Sequence, residues 1–213
     1  MSTGAITERD RLNSELIASQ LAEQGWTCQP QALAPDLVDA LIADCRREWA
    51  RRNFESAGIG QGSEHQVRRK IRSDQVYWWE PEPATSPRAR FMALIDALRQ
   101  ELNRHLFLAL HEVEMHYAVY PPGGFYKRHL DQFRGRNNRQ VSLVCFLNQD
   151  WREEDGGYLR LYPGGAGETH DIAPLAGTLV LFLAARIPHE VLETGKQRLS
   201  IAGWMKNRAW PLV

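Results

Sequence analysis

Three residues in the second half of the chain are of types that bind metal ions in proteins. His129 and Asp131 are two residues apart in a stretch with the pattern of a β-strand, and His189 follows sixty residues after His129. Side chains two apart on a strand point to the same face, so we expect this imidazole and this carboxylate to converge. With His189 they would form a trio of two histidines and one carboxylate. Such a trio holds Fe(II) from one side and leaves the opposite coordination positions open.

A single arginine, Arg198, lies nine residues after His189 in an alternating strand pattern, KQRLSIAGW. An arginine buried within such a strand needs an anionic partner, and its planar guanidinium suits a carboxylate bound through two hydrogen bonds. The pattern therefore predicts an anion site beside the metal site. A co-substrate could supply the carboxylate.

These residues belong to a longer run that resembles the catalytic core of the 2-oxoglutarate- and Fe(II)-dependent oxygenases. More narrowly, it is similar to the prolyl hydroxylases that act on hypoxia-inducible factor and to their bacterial relatives. The resemblance covers about residues 112 to 207. The matching residues, in the family's order and near its spacing, are Tyr120, Pro121, Tyr126, His129, Asp131, LNQDW at 147–151, GGYLRLYP at 156–163, PHEV at 188–191, Arg198 and Trp204.

The resemblance implies a set of ligands and a reaction. His129, Asp131 and His189 would bind Fe(II), Arg198 would bind the distal carboxylate of 2-oxoglutarate, and Tyr120 would hydrogen-bond near its metal-chelating end. O2 would take the remaining position. The family's reaction releases succinate and CO2 while a substrate C–H bond is hydroxylated, and ascorbate is a further candidate cofactor.

A second group of residues is implied to contact the substrate. Tyr126 and Trp204 would shape the cavity, and a glycine-rich, basic loop at about 58–76 would close over a polypeptide, with Arg72 and Asp74 helping to hold it. Two other interpretations of this loop stay open. It could be a solvated surface segment, or it could serve nucleic acid in a repair-type oxygenase of the same superfamily.

One position departs from the family. Alternation in QVSLVCFLN places Ser142, Val144 and Phe146 on one strand face, which lines the pocket in the family. Where the hypoxia-type enzymes have a tyrosine that helps bind the far carboxylate of 2-oxoglutarate, this chain has Phe146. A hydrogen bond to a charged group contributes about 1.5 to 3 kcal/mol, so we expect weaker co-substrate binding unless another donor replaces it.

The elements that must position these residues can be predicted from periodicity. Apolar residues at helical spacing predict helices over 8–24, 35–52 and about 88–105. From Glu112 onward, short strands separated by Gly, Pro, Asn and Asp turns dominate. We therefore predict an α+β fold with helices against one face of a sheet. The strand pattern favours a sandwich or barrel, and the resemblance specifies a double-stranded β-helix, or jelly-roll, core.

The length of the chain fits one domain with its own core. We predict a single domain over 1–213, in which 1–110 forms the helical support with the substrate loop, and 111–208 forms the oxygenase core. His116 begins the strand that reaches Tyr120 and is predicted to be a structural histidine rather than a ligand.

Composition limits the partners and the compartment. Lys plus Arg equals Asp plus Glu at 26 each, so net charge gives no reason to expect nucleic acid or an anionic membrane as a partner. No apolar run approaches the length of a membrane span. Three cysteines without C-x-x-C spacing indicate reduced thiols. We predict a cytoplasmic protein that binds neither nucleic acid nor membrane.

The substrate is the least specified part of the prediction. The basic loop, the arginine-rich turn QFRGRNNRQ and the likeness to protein hydroxylases favour a prolyl residue in a protein, such as a cytosolic translation factor. One alternative is a hydroxylase of a small molecule, with an amino acid or metabolite in the same cavity. The other is a non-catalytic, cupin-like binding protein, which would need no carboxylate anchor at Arg198.

Overall fold

The computed structural model describes residues 12–58, 70–132, 138–164 and 167–208 of the chain. Within these ranges two antiparallel sheets line a common cavity, and three helices pack on the other face of the larger sheet. This arrangement confirms the predicted α+β class and the jelly-roll core. No helix among these residues has the length and apolar character needed to cross a membrane.

The helices match the predicted periodicity closely. They are α1 (Ser14–Glu23), α2 (Pro35–Ala50) and α3 (Pro87–Leu106). Asn13 caps α1 by accepting a hydrogen bond from the Leu16 amide, and Ser86 caps α3 in the same way from the Ala89 amide. Proline occupies the first position of α2 and α3, where no amide donor is needed.

Eleven strands make up the two sheets within the described residues. The larger sheet has the order β1-β9-β6-β11-β4-β3-β2, and the smaller sheet has the order β5-β10-β7-β8. In chain order the strands are β1 (Trp26–Gln29), β2 (Glu55–Ser56), β3 (Gln75–Trp78), β4 (Leu110–Tyr120), β5 (Tyr126–His129), β6 (Arg139–Phe146), β7 (Leu159–Leu161), β8 (His170–Ile172), β9 (Leu179–Leu183), β10 (His189–Val191) and β11 (Arg198–Asn207).

Strand alternation decides which residues reach the cavity. Strands β4 and β11 pair in antiparallel register from Arg198 opposite Tyr120 to Asn207 opposite Leu110. Odd-numbered residues such as Tyr117 and Ile201 pack into the core shared with the helices. Apart from Gly203, the residues of the two strands that line the cavity are even-numbered, and they are Glu114, His116, Ala118, Tyr120, Arg198, Ser200, Ala202 and Trp204.

One glycine lets β4 and β11 approach at the centre of the sheet. A Cβ atom on Gly203 would lie 2.3 Å from the Glu114 carbonyl oxygen and 2.6 Å from the Met115 sulfur. No other residue fits this position without moving β4, because the nearest obstacle is backbone. Gly203 therefore keeps the two cavity-lining strands in register.

The helices are tied to the sheet by a polar contact as well as by the core. The Tyr117 hydroxyl donates to the Asp44 carboxylate at 2.9 Å, and the Arg88 guanidinium lies 2.9 Å from the same carboxylate. These residues come from β4, α2 and α3, and all three are buried. A buried carboxylate is stable only when it is paired in this way. The three cysteines, Cys28, Cys45 and Cys145, are free thiols, as predicted.

Candidate active site

His129, Asp131 and His189 come together at one point, as the sequence predicts. Their potential ligand atoms all lie within 4.8 Å of one another. The His129 Nε2 atom is 3.4 Å from the Asp131 Oδ1 atom, and the His189 Nε2 atom is 3.6 Å from Oδ2. The two histidines are opposite each other in the register of β5 and β10, which explains how residues sixty apart in sequence meet.

Asp131 lies outside the strand that was expected to carry it. Strand β5 ends at His129, so strand alternation does not place the carboxylate. It is held instead by the Ser142 hydroxyl of β6, which donates a hydrogen bond to the Asp131 Oδ2 atom at 2.7 Å. The alternation in β6 already indicated that Ser142 faces the pocket. A buried hydroxyl on that face was the signal that could have identified it.

Both histidines present the same nitrogen to the centre of the trio. The Nδ1 atom of His129 lies 2.8 Å from the Lys127 carbonyl oxygen, and that of His189 lies 3.3 Å from the Ile187 carbonyl oxygen. A carbonyl oxygen only accepts, so each Nδ1 carries the hydrogen. The Nε2 lone pairs are then left for a metal ion, an arrangement in which an outer hydrogen bond fixes the tautomer and the ring.

Electrostatics at this point favour a neutral imidazole beside an ionised carboxylate. Burial lowers the pKa of His189 to about 4. Burial by itself would raise the pKa of Asp131, but the two imidazoles and the Ser142 hydroxyl outweigh it and hold the pKa well below its usual value. His189 and Asp131 are therefore in the protonation states that metal ligation requires at neutral pH.

Arg198 and Tyr120 form the inner end of the same cavity. They are direct partners in the register of β11 and β4, and they are 1% and 4% exposed. The Arg198 Nε atom donates to the Gly157 carbonyl oxygen at 2.8 Å, and its Nη1 atom donates to the Ser200 hydroxyl at 3.3 Å. Its Nη2 atom has no hydrogen-bond partner among the described residues. A buried guanidinium with an unused donor is a site for an anion.

Phe146 lies beside this guanidinium, as expected from the alternation in β6. Its ring centroid is 5.1 Å from the Arg198 Cζ atom, and the residue is fully buried. The Tyr120 ring lies at a similar distance, 5.2 Å, and burial raises the pKa of its hydroxyl, which stays a donor. Phe146 itself has no hydroxyl. Ser200, its partner in the register of β11 and β6, does place a hydroxyl beside the guanidinium.

The cavity that joins these groups has a volume of about 590 Å³. It is lined by every site residue predicted from the sequence, and these are Arg72, Asp74, Tyr120, Tyr126, His129, Asp131, His189, Arg198 and Trp204. Arg72 and Asp74 form a two-bond ion pair, with 2.8 Å between Nε and Oδ1 and 2.5 Å between Nη2 and Oδ2. The loop predicted at about 58–76 lies partly outside the described residues, since 59–69 are not among them.

Four further residues line the cavity around Trp204, at the end of β11 away from Arg198. Trp78 and Glu114 were not singled out from the sequence, Arg139 belongs to the arginine-rich stretch QFRGRNNRQ, and His116 was predicted to be structural. His116 is buried, with Trp78 at 4.5 Å and Trp204 at 5.5 Å between ring centroids. The Arg139 guanidinium lies 3.5 Å above the Trp204 ring and 3.3 Å from the Glu114 carboxylate. These contacts join residues of four strands, so no local pattern could identify them.

The residues fit the groups that the resemblance implies. Two imidazole lone pairs and a carboxylate on one side of a point match a divalent metal with open positions. The unused Nη2 donor of Arg198 matches the carboxylate of a co-substrate that reaches from the metal to the inner end of the cavity.

Comparison with known proteins agrees with this chemistry. Residues 115–206 match the model of the 2OG-Fe(II) oxygenase superfamily. A prolyl-4-hydroxylase structure from Pseudomonas putida is 43% identical with a TM-score of 0.84, and covers 91% of this chain and 99% of its own. A Trichoplax adhaerens prolyl hydroxylase in complex with a hypoxia inducible factor peptide is 25% identical with a TM-score of 0.81, covering 91% of this chain and 89% of its own.

A curated relative shows the same likeness over a smaller share of its length. The hypoxia-inducible factor prolyl hydroxylase of Caenorhabditis elegans is 27% identical over 96% of this chain, and the chain spans only 30% of that relative. The trio, the adjacent guanidinium and these matches lead to one conclusion. The chain belongs to the 2OG-Fe(II) oxygenase superfamily.

Proposed function

We propose that this protein is an Fe(II)- and 2-oxoglutarate-dependent dioxygenase that hydroxylates a prolyl residue in a protein substrate. One observation carries the proposal. The metal-binding trio and Arg198, with its unused Nη2 donor, line the same cavity. A cupin-like protein without turnover would have no use for a buried guanidinium in the same cavity as such a trio.

Each side chain of the site has its own part in this reaction. His129 and His189 offer Nε2 lone pairs and Asp131 offers an anionic oxygen, so together they suit a divalent cation. Arg198 binds the distal carboxylate of 2-oxoglutarate, and the Tyr120 hydroxyl donates a hydrogen bond near the metal-chelating end of the same molecule. When bound, Fe(II) and 2-oxoglutarate supply the activation of O2 that yields succinate, CO2 and a hydroxylated C–H bond.

The inner end of the cavity also keeps water away from the co-substrate. Tyr120, Phe146 and Arg198 are each at most 4% exposed. Electrostatic interactions between Arg198 and a carboxylate are stronger there than in water, because little solvent screens them. Burial lowers the pKa of Arg198 to about 10, so the guanidinium still carries its charge at neutral pH.

A protein substrate is supported by the chemistry at the rim. Arg72 pairs with Asp74, and Arg139 pairs with Glu114, so the described arginines at the rim are already matched by carboxylates. Binding of nucleic acid depends on cations that are available to phosphates. Trp78 is 45% exposed at the cavity and offers an apolar surface to an uncharged ring such as that of proline. The peptide-bound relative from Trichoplax supports the same substrate class.

We extend the proposal to the substrate, the cell compartment and the organisation of the chain. We propose that the substrate is an abundant cytosolic protein such as a translation factor, and that the enzyme is cytoplasmic. We also propose that residues 1–213 work as one unit, with 1–110 supporting the core at 111–208. The core shared between the helices and the larger sheet supports this last point.

The proposal can be tested by mass spectrometry of a cell extract. The extract is incubated with the protein, Fe(II), 2-oxoglutarate and ascorbate, and tryptic peptides are searched for a gain of one oxygen atom on proline. We expect one or a few prolyl peptides to gain it, with succinate formed in step. Asp131→Ala and His129→Ala should abolish both signals, since each removes a metal ligand.

Folding of these variants must be compared with the wild type by circular dichroism. Normal turnover in either folded variant would contradict the metal assignment. Succinate formation without any modified peptide, but with a hydroxylated amino acid or metabolite, would favour the small-molecule alternative.

A further inference from the structure

His129 and His189 are held in different ways, although both belong to the trio. The side chain of His189 is 8% exposed and packs against the buried Phe182 ring, with 4.5 Å between centroids. The side chain of His129 is 18% exposed and stands at the end of the four-residue strand β5. Its Nδ1 hydrogen bond fixes one atom of the ring. The orientation of the ring plane needs another contact.

Tyr126 supplies that contact. Its ring stacks on the His129 imidazole with 3.6 Å between centroids and 17° between planes. Residues three apart on a regular strand point to opposite faces, so this stack requires an irregularity. The pairing of His189 with His129 and of Val191 with Tyr126 sets three steps of β5 against two of β10, which is a β-bulge. Bulges of this kind re-aim side chains beside active sites.

Arg72 holds the Tyr126 ring from the other side. The Arg72 Cζ atom lies 4.3 Å from the ring centroid. A ring face that carries an imidazole at 3.6 Å has no room for a guanidinium at this distance, so the two groups lie on opposite faces. Arg72 is itself fixed by its two bonds to Asp74, whose side chain is fully buried, and by a 3.2 Å bond to the Gly58 carbonyl oxygen.

The backbone reinforces this arrangement. Arg72 and Tyr126 form an isolated antiparallel bridge, and the Lys127 amide donates to the Ile71 carbonyl oxygen at 2.9 Å. The stack therefore runs from the carboxylate of Asp74 through a guanidinium and a phenol ring to a metal-ligating imidazole.

We propose that Arg72 and Asp74 are positioning residues for His129, acting through the ring of Tyr126. This inference rests on the metal site of the proposed function, but it concerns how the ligand is oriented rather than what the enzyme hydroxylates. The ring face of Tyr126, and not its hydroxyl, is the part that matters. Restricting the imidazole to one orientation lets its Nε2 atom meet the metal without loss of rotational freedom on binding.

Binding of Co(II) to the metal-free protein tests the inference without turnover, because Co(II) absorbs visible light according to its ligand geometry. Tyr126→Leu removes the ring face, and we expect its dissociation constant for Co(II) to rise about 10-fold or more, with altered absorption bands. Tyr126→Phe keeps the face and should match the wild type. Arg72→Met combined with Asp74→Asn removes the ion pair without leaving a buried carboxylate unpaired, and should weaken Co(II) binding as well.

A matched control exists on the same sheet. Arg128 lies 3.9 Å above the Tyr162 ring, in a cation–π pair that does not include a metal ligand. Tyr162→Leu should leave Co(II) binding unchanged. Thermal unfolding of each metal-free variant shows whether the fold is retained.

Three results would overturn the inference. Wild-type affinity and absorption in Tyr126→Leu would remove the role of the ring, and equal losses in Tyr126→Phe and Tyr126→Leu would assign it to the hydroxyl. An equal loss in Tyr162→Leu would indicate a general effect on the sheet. If the wild type itself does not bind Co(II), the proposed metal site fails together with the inference, whereas the first three results leave the metal site standing.

Discussion

Arg198 is a buried residue of the cavity whose hydrogen bonding is complete only when a ligand is bound. Two of its three nitrogens donate to the Gly157 carbonyl oxygen and the Ser200 hydroxyl, and these bonds fix the plane of the guanidinium. Gly157 is required there, because its φ is +65° and a Cβ atom would lie 3.2 Å from the Arg198 side chain. The remaining nitrogen, Nη2, is thus held in place for a ligand.

This geometry gives a prediction for Arg198→Lys. A lysine places a single charge at the end of a flexible chain and cannot reproduce the planar fork, so the bond to the co-substrate carboxylate should be lost or lengthened. We expect the dissociation constant of 2-oxoglutarate, measured by calorimetry on Co(II)-loaded protein, to rise at least about 10-fold. Arg160→Lys, at an ion pair with Asp171 outside the cavity, is the control. Unchanged affinity in Arg198→Lys would contradict the anchor role.

The residues of the site were predictable to different degrees. His129, Asp131, His189 and Arg198 could be selected because their types are rare in strand patterns and each demands a partner. Alternation placed Ser142 on the pocket side of its strand, but it could not show that the hydroxyl binds Asp131, because this partner lies eleven residues away and outside any strand.

At the scale of elements, helical periodicity predicted the ends of the helices within one or two residues in most cases. The predicted first helix was longer at its start, where residues 1–11 lie outside the described ranges. The prediction that His129 and Asp131 share one strand was wrong, because β5 ends at His129. Strands β2 and β8 were not predicted. Strand β2 has only two residues, and β8 has the sequence HDI, in which Ile172 is the only apolar residue, so neither shows a strand pattern.

The C-terminus of α3 carries a residue that does not suit its backbone. Phe107 adopts a left-handed conformation, with φ 54° and ψ 35°, and it is 88% exposed. A residue with a Cβ atom is disfavoured there by about 1 kcal/mol, and glycine is the usual choice at the end of a helix. The exposed ring contributes little packing that could compensate.

We therefore predict that Phe107→Gly stabilises the protein by about 1 kcal/mol and raises the midpoint of thermal unfolding by about 2 to 4 °C. Phe107→Ala removes the same ring but keeps the Cβ atom, so it should give no such gain. If both variants were stabilised equally, exposure of the ring rather than backbone strain would be the cause. Activity should not change, because Phe107 is not among the residues that line the cavity.

At the scale of the whole molecule, the convergence of the site depends on strand order. The trio forms because β10 lies beside β5 in the smaller sheet. Asp131 is held because Ser142 of β6, in the larger sheet, donates a hydrogen bond to it. Pairings between distant strands are not encoded in any local pattern, so the sequence alone could give the elements but not their order. The family resemblance supplied the jelly-roll class of the core, and the structure supplies the strand order.

The folding of both sheets around one cavity also buries a titratable group that the reaction does not use. His116 is 3% exposed between Trp78 and Trp204, and its Nδ1 atom has no partner among the described residues. Burial lowers its pKa to about 3, and the positive charges of Arg72 and Arg139 act in the same direction. In the unfolded chain a histidine has a pKa of about 6.5.

The sign of the resulting pH dependence follows from these two values. Between about pH 6.5 and pH 3 the unfolded chain takes up a proton at His116 that the folded protein excludes, so acidification favours unfolding. The stabilisation is complete above pH 6.5 and is lost progressively below it. A drop from pH 7 to pH 5 should cost about 2 kcal/mol through this one group.

His116→Met should remove that cost, because an unbranched apolar side chain can pack between the two indole rings and does not titrate. Urea unfolding of metal-free protein at pH 7, 6 and 5 measures the effect. The loss of stability on acidification should be about 2 kcal/mol smaller in the variant than in the wild type. Other buried groups such as His189 titrate in both proteins and cancel in the comparison, and His105→Gln, which replaces an exposed histidine, is the control. Parallel pH profiles for wild type and His116→Met would show that the folded protein accommodates the protonated ring, and that the space between the tryptophans is open to solvent.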